Sequence, residues 1–152
     1  MKKVLIITYY WPPAGGSGVQ RWLKFTKYLP KYNWQPIIYT PENPYFDVQD
    51  EALLNDIPAE AEIWKTPIWE PYALKDKLFG KGSQSQSAGV ITNKKSLENR
   101  VLNWVRGNVF IPDPKIYWVK PSIKVLLKKI LEANIDHIVT TGPPHSMHLI
   151  GL

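Results

Sequence analysis

The residues best suited to chemistry stand in two turns that carry glycine and proline. The first, Pro-Pro-Ala-Gly-Gly-Ser-Gly at 12–18, separates an apolar run from an amphipathic helix pattern, and the second, Gly-Pro-Pro-His-Ser at 142–146, does the same near the other end. The first amide groups of a helix lack internal partners and carry the positive end of the helix dipole, so an anion or a sugar hydroxyl can bind there. Gly15 and Gly16 would let a ligand approach a bare main chain. The alternative is that these glycines only make a tight turn.

Neither of two well-known phosphate-binding patterns fits the first turn. A P-loop needs Gly-Lys followed by Ser or Thr, and no lysine follows Gly16 or Gly18. A dinucleotide fingerprint needs a third glycine where this chain has Arg21. Glu42 could still imitate the acid that binds a ribose, so an NAD-dependent oxidoreductase remains a less favoured alternative.

The second turn offers an imidazole at the start of a helix. The neutral imidazole of His145 could donate or accept a hydrogen bond to a hydroxyl group of a ligand, and Ser146 adds a hydroxyl. The alternatives are that His145 only caps the helix or lies on the surface, and that His148 packs inside. A metal site on these two histidines would lack a nearby carboxylate, so we predict no metal.

The elements that position both turns alternate between strand and helix. The predicted strands are 3–10, 35–40, 62–66 and 135–141. The predicted helices run from Ser17 to Pro30, over 97–109, over 121–133, and onward from about His145. Pro121 is expected in the first turn of its helix. This alternation predicts an α/β fold, a Rossmann-like open and mostly parallel sheet with helices on both faces. Both turns then lie at the carboxyl edge of the sheet, where such folds bind ligands.

Composition favours one globular domain over residues 1–152, with a mobile surface loop at about 80–96. The formal net charge is +6, which favours anionic partners, and the absence of cysteine excludes disulfides and a thiol nucleophile. A chain without cysteine fits a cytoplasmic location, or a peripheral one at the inner membrane face.

Aromatic and basic residues alternate between residues 104 and 129. We predict an acceptor or membrane surface formed by Trp104, Arg106, Phe110 and Trp118. The alternatives are that the aromatic residues belong to the core and, less favoured, that they stack on single-stranded nucleic acid.

The run Ile-Ile-Thr-Tyr-Tyr-Trp-Pro-Pro-Ala-Gly-Gly-Ser-Gly-Val-Gln-Arg from Ile6, with Thr-Thr-Gly-Pro-Pro-His-Ser at 140–146, resembles the amino-terminal half of retaining glycosyltransferases of family 4. The resemblance spans residues 1–152, and the chain is similar to bacterial enzymes that build cell-surface polysaccharides or lipid-linked glycans. It implies a GT-B fold, in which two Rossmann-like halves face each other across a cleft. It also implies a nucleotide-sugar donor as co-substrate without a further cofactor or metal, and a glycan or lipid-linked acceptor.

Site residues follow from this resemblance. His145 matches the family's histidine that approaches the transferred sugar, and we expect His145 to be catalytic. His148 is the alternative match. The expected substrate-binding residues are Gly15, Gly16, Ser17, Gly18, Arg21 and Ser146. The resemblance also implies a donor-binding carboxyl-terminal domain that these residues do not include, so we expect residues 1–152 alone to hold nucleotide sugar weakly and not to transfer it. We expect no nucleic-acid partner. The main rival is a non-catalytic module that binds anions or docks to membranes.

Overall fold

Four parallel strands form the centre of the chain in a computed structural model, which describes residues 1–70 and 111–152. They are β1 (Lys2–Ile7), β2 (Trp34–Pro41), β3 (Glu62–Thr66) and β4 (His137–Thr140). Their order in the sheet is β3-β2-β1-β4, and each pair of neighbours is parallel. The predicted α/β fold with a Rossmann-like open sheet is therefore confirmed.

The core of the protein lies on the two central strands. Ile6 of β1 pairs with Ile38 of β2 on one side and with Val139 of β4 on the other. Most of β1 and β2 is buried, as expected for strands of a parallel sheet that is covered on both faces. Continuous apolar runs in the sequence are the signature of such strands, which is why both could be predicted.

In the described parts of the chain, three α-helices accompany the sheet: α1 (Ser17–Tyr28), α2 (Ile116–Ala133) and α3 (Ser146–Ile150). Short 3-10 turns occupy Leu29–Tyr32, directly after α1, and Glu51–Asp56. The chain steps from β1 through β2 to β3 in one direction and reaches β4 on the other side of β1. Because connections between parallel strands are right-handed, α1 and α2 belong on opposite faces of the sheet.

The start of α2 corrects one prediction. The helix begins at Ile116, so Pro121 lies inside it and not in its first turn. The turn before the helix is held by Asp113, whose carboxylate accepts from the amide of Lys115 at 2.9 Å and whose carbonyl accepts from Ile116 at 3.1 Å. The added turn buries Trp118 completely, and this packing outweighs the one helical hydrogen bond that proline cannot donate.

The strand boundaries differ in a similar way. β1 ends at Ile7, not at residue 10, and β4 covers 137–140, less than the predicted 135–141. Tyr9 and Trp11 lie outside the strand but are buried all the same. An apolar run therefore marks burial more reliably than it marks the end of a strand.

The predicted helix over 97–109 and the predicted loop at 80–96 lie outside the described residues. Within residues 1–70 and 111–152, every helix is too short or too polar to cross a membrane.

Candidate functional site

The two turns singled out in the sequence lie side by side at the carboxyl edge of the sheet. The first follows β1 and the second follows β4, and these strands are direct neighbours. The contact continues past the strand ends, because the amide of Thr141 donates to the carbonyl of Ile7 at 3.1 Å. The Thr141 hydroxyl also donates to the Thr8 hydroxyl at 3.1 Å. A ligand at this edge could touch both turns.

The glycine turn presents a row of free amide groups. Gly16 is the N-cap of α1 and has φ 107° and ψ 167°, a conformation open almost only to glycine. Gly16, Ser17 and Gly18 are exposed, and no group in the described parts of the chain accepts a hydrogen bond from their amides. No side chain caps the helix either. The start of α1 therefore offers three N–H donors and the positive end of a twelve-residue helix dipole.

Gly15 departs from the prediction, because its backbone is not bare. Its amide donates to the carbonyl of Val48 at 3.0 Å, and the amide of Asp50 donates to the carbonyl of Pro13 at 2.8 Å. A Cβ atom at Gly15 would lie 3.0 Å from Val48 Cγ1. Gly15 is thus needed for close packing of segment 48–50, and its amide is not available to a ligand.

Two imidazoles lie over Gly142 in the second turn. A Cβ atom at Gly142 would lie 2.8 Å from His148 Nε2 and 3.3 Å from His145 Nδ1. The ring centroids of the two histidines are 5.9 Å apart, and His148 Nδ1 lies 2.7 Å from the Thr140 hydroxyl. Both histidines are exposed, so His148 does not pack inside. His145 is the N-cap residue of α3, as its position in the sequence suggested.

Ser146 was predicted to bind substrate, and the structure contradicts this. The residue is fully buried; its hydroxyl donates to Asp113 Oδ1 at 2.9 Å and its amide to Asp113 Oδ2 at 2.8 Å. Both groups are therefore occupied within the protein. Asp113, which the sequence did not single out, fixes the turn that carries His145 across 33 residues of chain.

A buried ionic cluster lies at the same edge, between the ends of β1 and β3. Glu70 accepts from the Tyr9 hydroxyl at 2.7 Å and from the amide of Tyr45 at 2.6 Å, and it forms an ion pair with Lys115. The Lys115 ammonium also lies 4.5 Å from the centre of the Tyr9 ring. Burial, followed by the charge and hydrogen bond of Glu70, raises the pKa of the Tyr9 phenol well above its ordinary value.

This cluster connects the segments that leave the carboxyl edge of the sheet with the turn before α2. Sequence reasoning missed it. Glu70 follows β3 in a stretch without a recognisable motif, and Lys115 lies 45 residues further on. The one available signal is a glutamate in a run of apolar and aromatic residues, Ile-Trp-Glu at 68–70. A buried carboxylate needs a cation and hydrogen-bond donors, and Lys115, Tyr9 and Tyr45 supply them.

The remaining predicted residues are distributed as follows. Arg21 is exposed on α1, and its guanidinium carbon lies 5.8 Å from the centre of the Trp22 ring. Trp118 is completely buried, stacks on Tyr39 at 4.9 Å and donates to the carbonyl of Thr66 at 3.2 Å. Its predicted place on an acceptor or membrane surface was therefore wrong. Trp104, Arg106 and Phe110 lie outside the described residues.

The described residues contain no group of three histidine, cysteine, aspartate or glutamate side chains that could hold a metal ion. What the edge offers a ligand is a row of N–H donors on one turn and imidazole nitrogens on the next. No protein-family model, curated protein or solved structure matches this chain.

Proposed function

We propose that this chain is the acceptor-side half of a retaining glycosyltransferase, which moves a sugar from a nucleotide-sugar donor to a glycan or lipid-linked acceptor in surface polysaccharide synthesis. One observation carries the proposal: the free amides of Gly16, Ser17 and Gly18 lie on the turn next to the one that bears His145. The amides suit a diphosphate and the imidazole suits a sugar hydroxyl.

The amide row would act on the leaving group. When the bond between sugar and diphosphate breaks, negative charge grows on the diphosphate oxygens, and preorganised N–H donors stabilise that charge without reorganising. The dipole of α1 adds to this effect because its positive end lies at the same turn. In the proposed enzyme, cations of a second domain would supply the remaining contacts to the donor.

His145 would position the sugar. A neutral imidazole can hydrogen-bond a sugar hydroxyl without adding a charge to the site. Its turn is held firmly, because Asp113 accepts both hydrogen bonds of Ser146. Arg21 would lie near the diphosphate, one turn into α1 from the free amides.

Binding measured by nuclear magnetic resonance tests this division of roles on residues 1–152. We expect UDP and UDP-glucose, used as probes, both to shift the amide signals of Gly16, Ser17 and Gly18, because both carry the diphosphate. Only UDP-glucose should also shift the imidazole signals of His145. Uridine, which lacks the diphosphate, is the control and should leave the three amides unchanged.

A pair of variants sharpens the test. A Cβ atom at Gly18 meets no atom within 4 Å and Gly18 lies in the helix, so Gly18→Trp can be accommodated while its ring shields the amides. Gln20→Trp adds the same ring at another exposed position of α1. The proposal requires that Gly18→Trp weakens binding of UDP and Gln20→Trp does not.

The main rival is a module that binds anions without catalysis. It predicts equal amide shifts with UDP, UDP-glucose and inorganic sulfate, and no response of His145 to the sugar. That result would replace the glycosyltransferase proposal, and the absence of any shift at the three amides would refute both.

A further inference from the structure

The outward face of α1 exposes an unusual number of aromatic side chains. Phe25 is 49% exposed, Tyr28 45% and Tyr32, in the 3-10 turn that follows, 74%. Phe25 and Tyr28, three residues apart, share the outward face of α1, and Tyr32 extends this exposed aromatic stripe into the 3-10 turn. Trp22 borders this stripe, with its ring centre 5.3 Å from that of Phe25. Exposed apolar surface of this kind is costly in water unless a partner covers it.

A row of cations accompanies the aromatic stripe. Arg21, Lys24, Lys27 and Lys31 are exposed, and the segment from Ser17 to Tyr32 contains no acidic residue. None of the four forms an ion pair with any residue in the described parts of the chain.

An acidic side chain borders this row. Asp56 lines a groove of about 190 Å³ together with Lys24 and Lys27. The segment from Ser17 to Tyr32 itself carries four cations and no acid, so its charge is complementary to an anionic partner.

We propose that this stripe, defined as Phe25, Tyr28 and Tyr32 with the cations at 21, 24, 27 and 31, docks on an anionic phospholipid bilayer. Amphipathic surfaces of this composition bind membranes, since aromatic rings enter the interface between headgroups and acyl chains while lysines lie near the lipid phosphates. The proposal assigns the membrane surface to α1 and the 3-10 turn that follows it, and it does not depend on sugar transfer.

A single-stranded nucleic acid would need a different shape. Proteins that bind single strands combine cations with aromatic rings inside a groove that follows the backbone. Here the three rings are exposed and do not line the groove that contains Lys24 and Lys27. A flat bilayer surface can contact all of them at once.

Vesicle co-sedimentation of residues 1–152 tests the proposal, with vesicles of phosphatidylglycerol and phosphatidylcholine in equal parts and of phosphatidylcholine alone. We expect binding to the anionic vesicles, weakened by salt, and little binding to the neutral ones. Replacing Lys24, Lys27 and Lys31 by glutamine should weaken binding on the order of a hundredfold, because each lysine near an anionic surface contributes roughly a factor of five.

Matched variants separate the stripe from the net charge of the protein. Lys120, Lys124 and Lys128 are exposed on α2, and their replacement by glutamine removes the same charge. That triple variant should bind the anionic vesicles within a few-fold of the wild type. Replacing Phe25, Tyr28 and Tyr32 by serine should leave binding at low salt but abolish it at high salt, since insertion of the rings is not screened.

Three outcomes would overturn the proposal. Equal loss in the α1 and α2 lysine variants would mean that only net charge matters. Unchanged binding of the aromatic variant at high salt would exclude the stripe as the inserted surface. Binding to a single-stranded oligonucleotide without binding to the anionic vesicles would assign the surface to nucleic acid.

Discussion

Substitution of Gly16 by alanine probes the conformation on which the amide row depends. At φ 107° and ψ 167° an L-residue with a Cβ atom is strained, by about 1–3 kcal/mol. Alanine also restricts the unfolded chain, and this effect of about 0.4–1 kcal/mol partly offsets the strain. No atom lies within 4 Å of the added Cβ, so no clash contributes. We expect Gly16→Ala to lower the free energy of unfolding by about 1–2 kcal/mol, entirely through the backbone.

Gly18→Ala is the matched control, because it adds the same methyl group two residues further on. Gly18 lies in α1, its φ is not positive, and its Cβ position is also open. Alanine is favoured over glycine in a helix by about 0.5–1 kcal/mol, so this variant should be more stable than the wild type. The two variants should therefore differ by about 2 kcal/mol, with opposite signs relative to the wild type.

Urea denaturation followed by tryptophan fluorescence measures this difference. With a slope of roughly 1–3 kcal/mol per molar urea, the two midpoints should lie about 1 M apart while the slope stays constant. If Gly16→Ala is as stable as Gly18→Ala, the turn is not held at a positive φ and the amide row has another geometry. Loss of stability in both variants would instead show that the added methyl group clashes at each position.

Two further predictions concern the residues that support the site. Lys115→Met should lower the free energy of unfolding by about 3–5 kcal/mol, because it leaves the Glu70 carboxylate buried without its cation. The control Lys120→Met, at an exposed position, should stay within about 0.5 kcal/mol of the wild type, and equal urea midpoints for the two variants would contradict the prediction. Burial raises the pKa of Tyr9 and of Tyr39 in the folded protein, so the unfolded chain loses these phenolic protons at a lower pH than the folded chain does. These two tyrosines should therefore leave stability unchanged below about pH 10. Above it, stability should fall by about 1.4 kcal/mol per pH unit for each tyrosine. Phenolate absorbance and circular dichroism should report this alkaline transition together, and full titration of all tyrosines with intact circular dichroism would refute it.

The fold could be predicted from the sequence because its strands are local patterns. The strand at 62–66 has the predicted bounds, and β1 and β2 each contain a short apolar run, at residues 4–7 and 36–39. The end of β1 was harder to predict, because Tyr9 and Trp11 are buried by packing outside the sheet. The sequence pattern reports burial, and burial does not distinguish a strand from the loop that follows it.

The site could be predicted only in outline. Two strand-to-helix turns on parallel strands must meet at one edge, so the neighbourhood of the glycine turn and His145 follows from topology. Topology does not predict that the Gly15 amide is occupied or that Asp113 bonds to Ser146, because each of these hydrogen bonds joins residues that are 33 positions apart. Long-range polar contacts leave no periodic signal in a single sequence.

The supports and the site form one connected path. Glu70, at the end of β3, holds Lys115 by an ion pair, and the Lys115 amide donates to Asp113. Asp113 in turn accepts both hydrogen bonds of Ser146, the residue next to His145. Glu70 and Ser146 are buried, and Lys115 and Asp113 are partly buried, so water has limited access to these contacts. The turn that carries His145 is therefore linked to the segment that follows β3 by side-chain contacts, and not only to its own strand, β4.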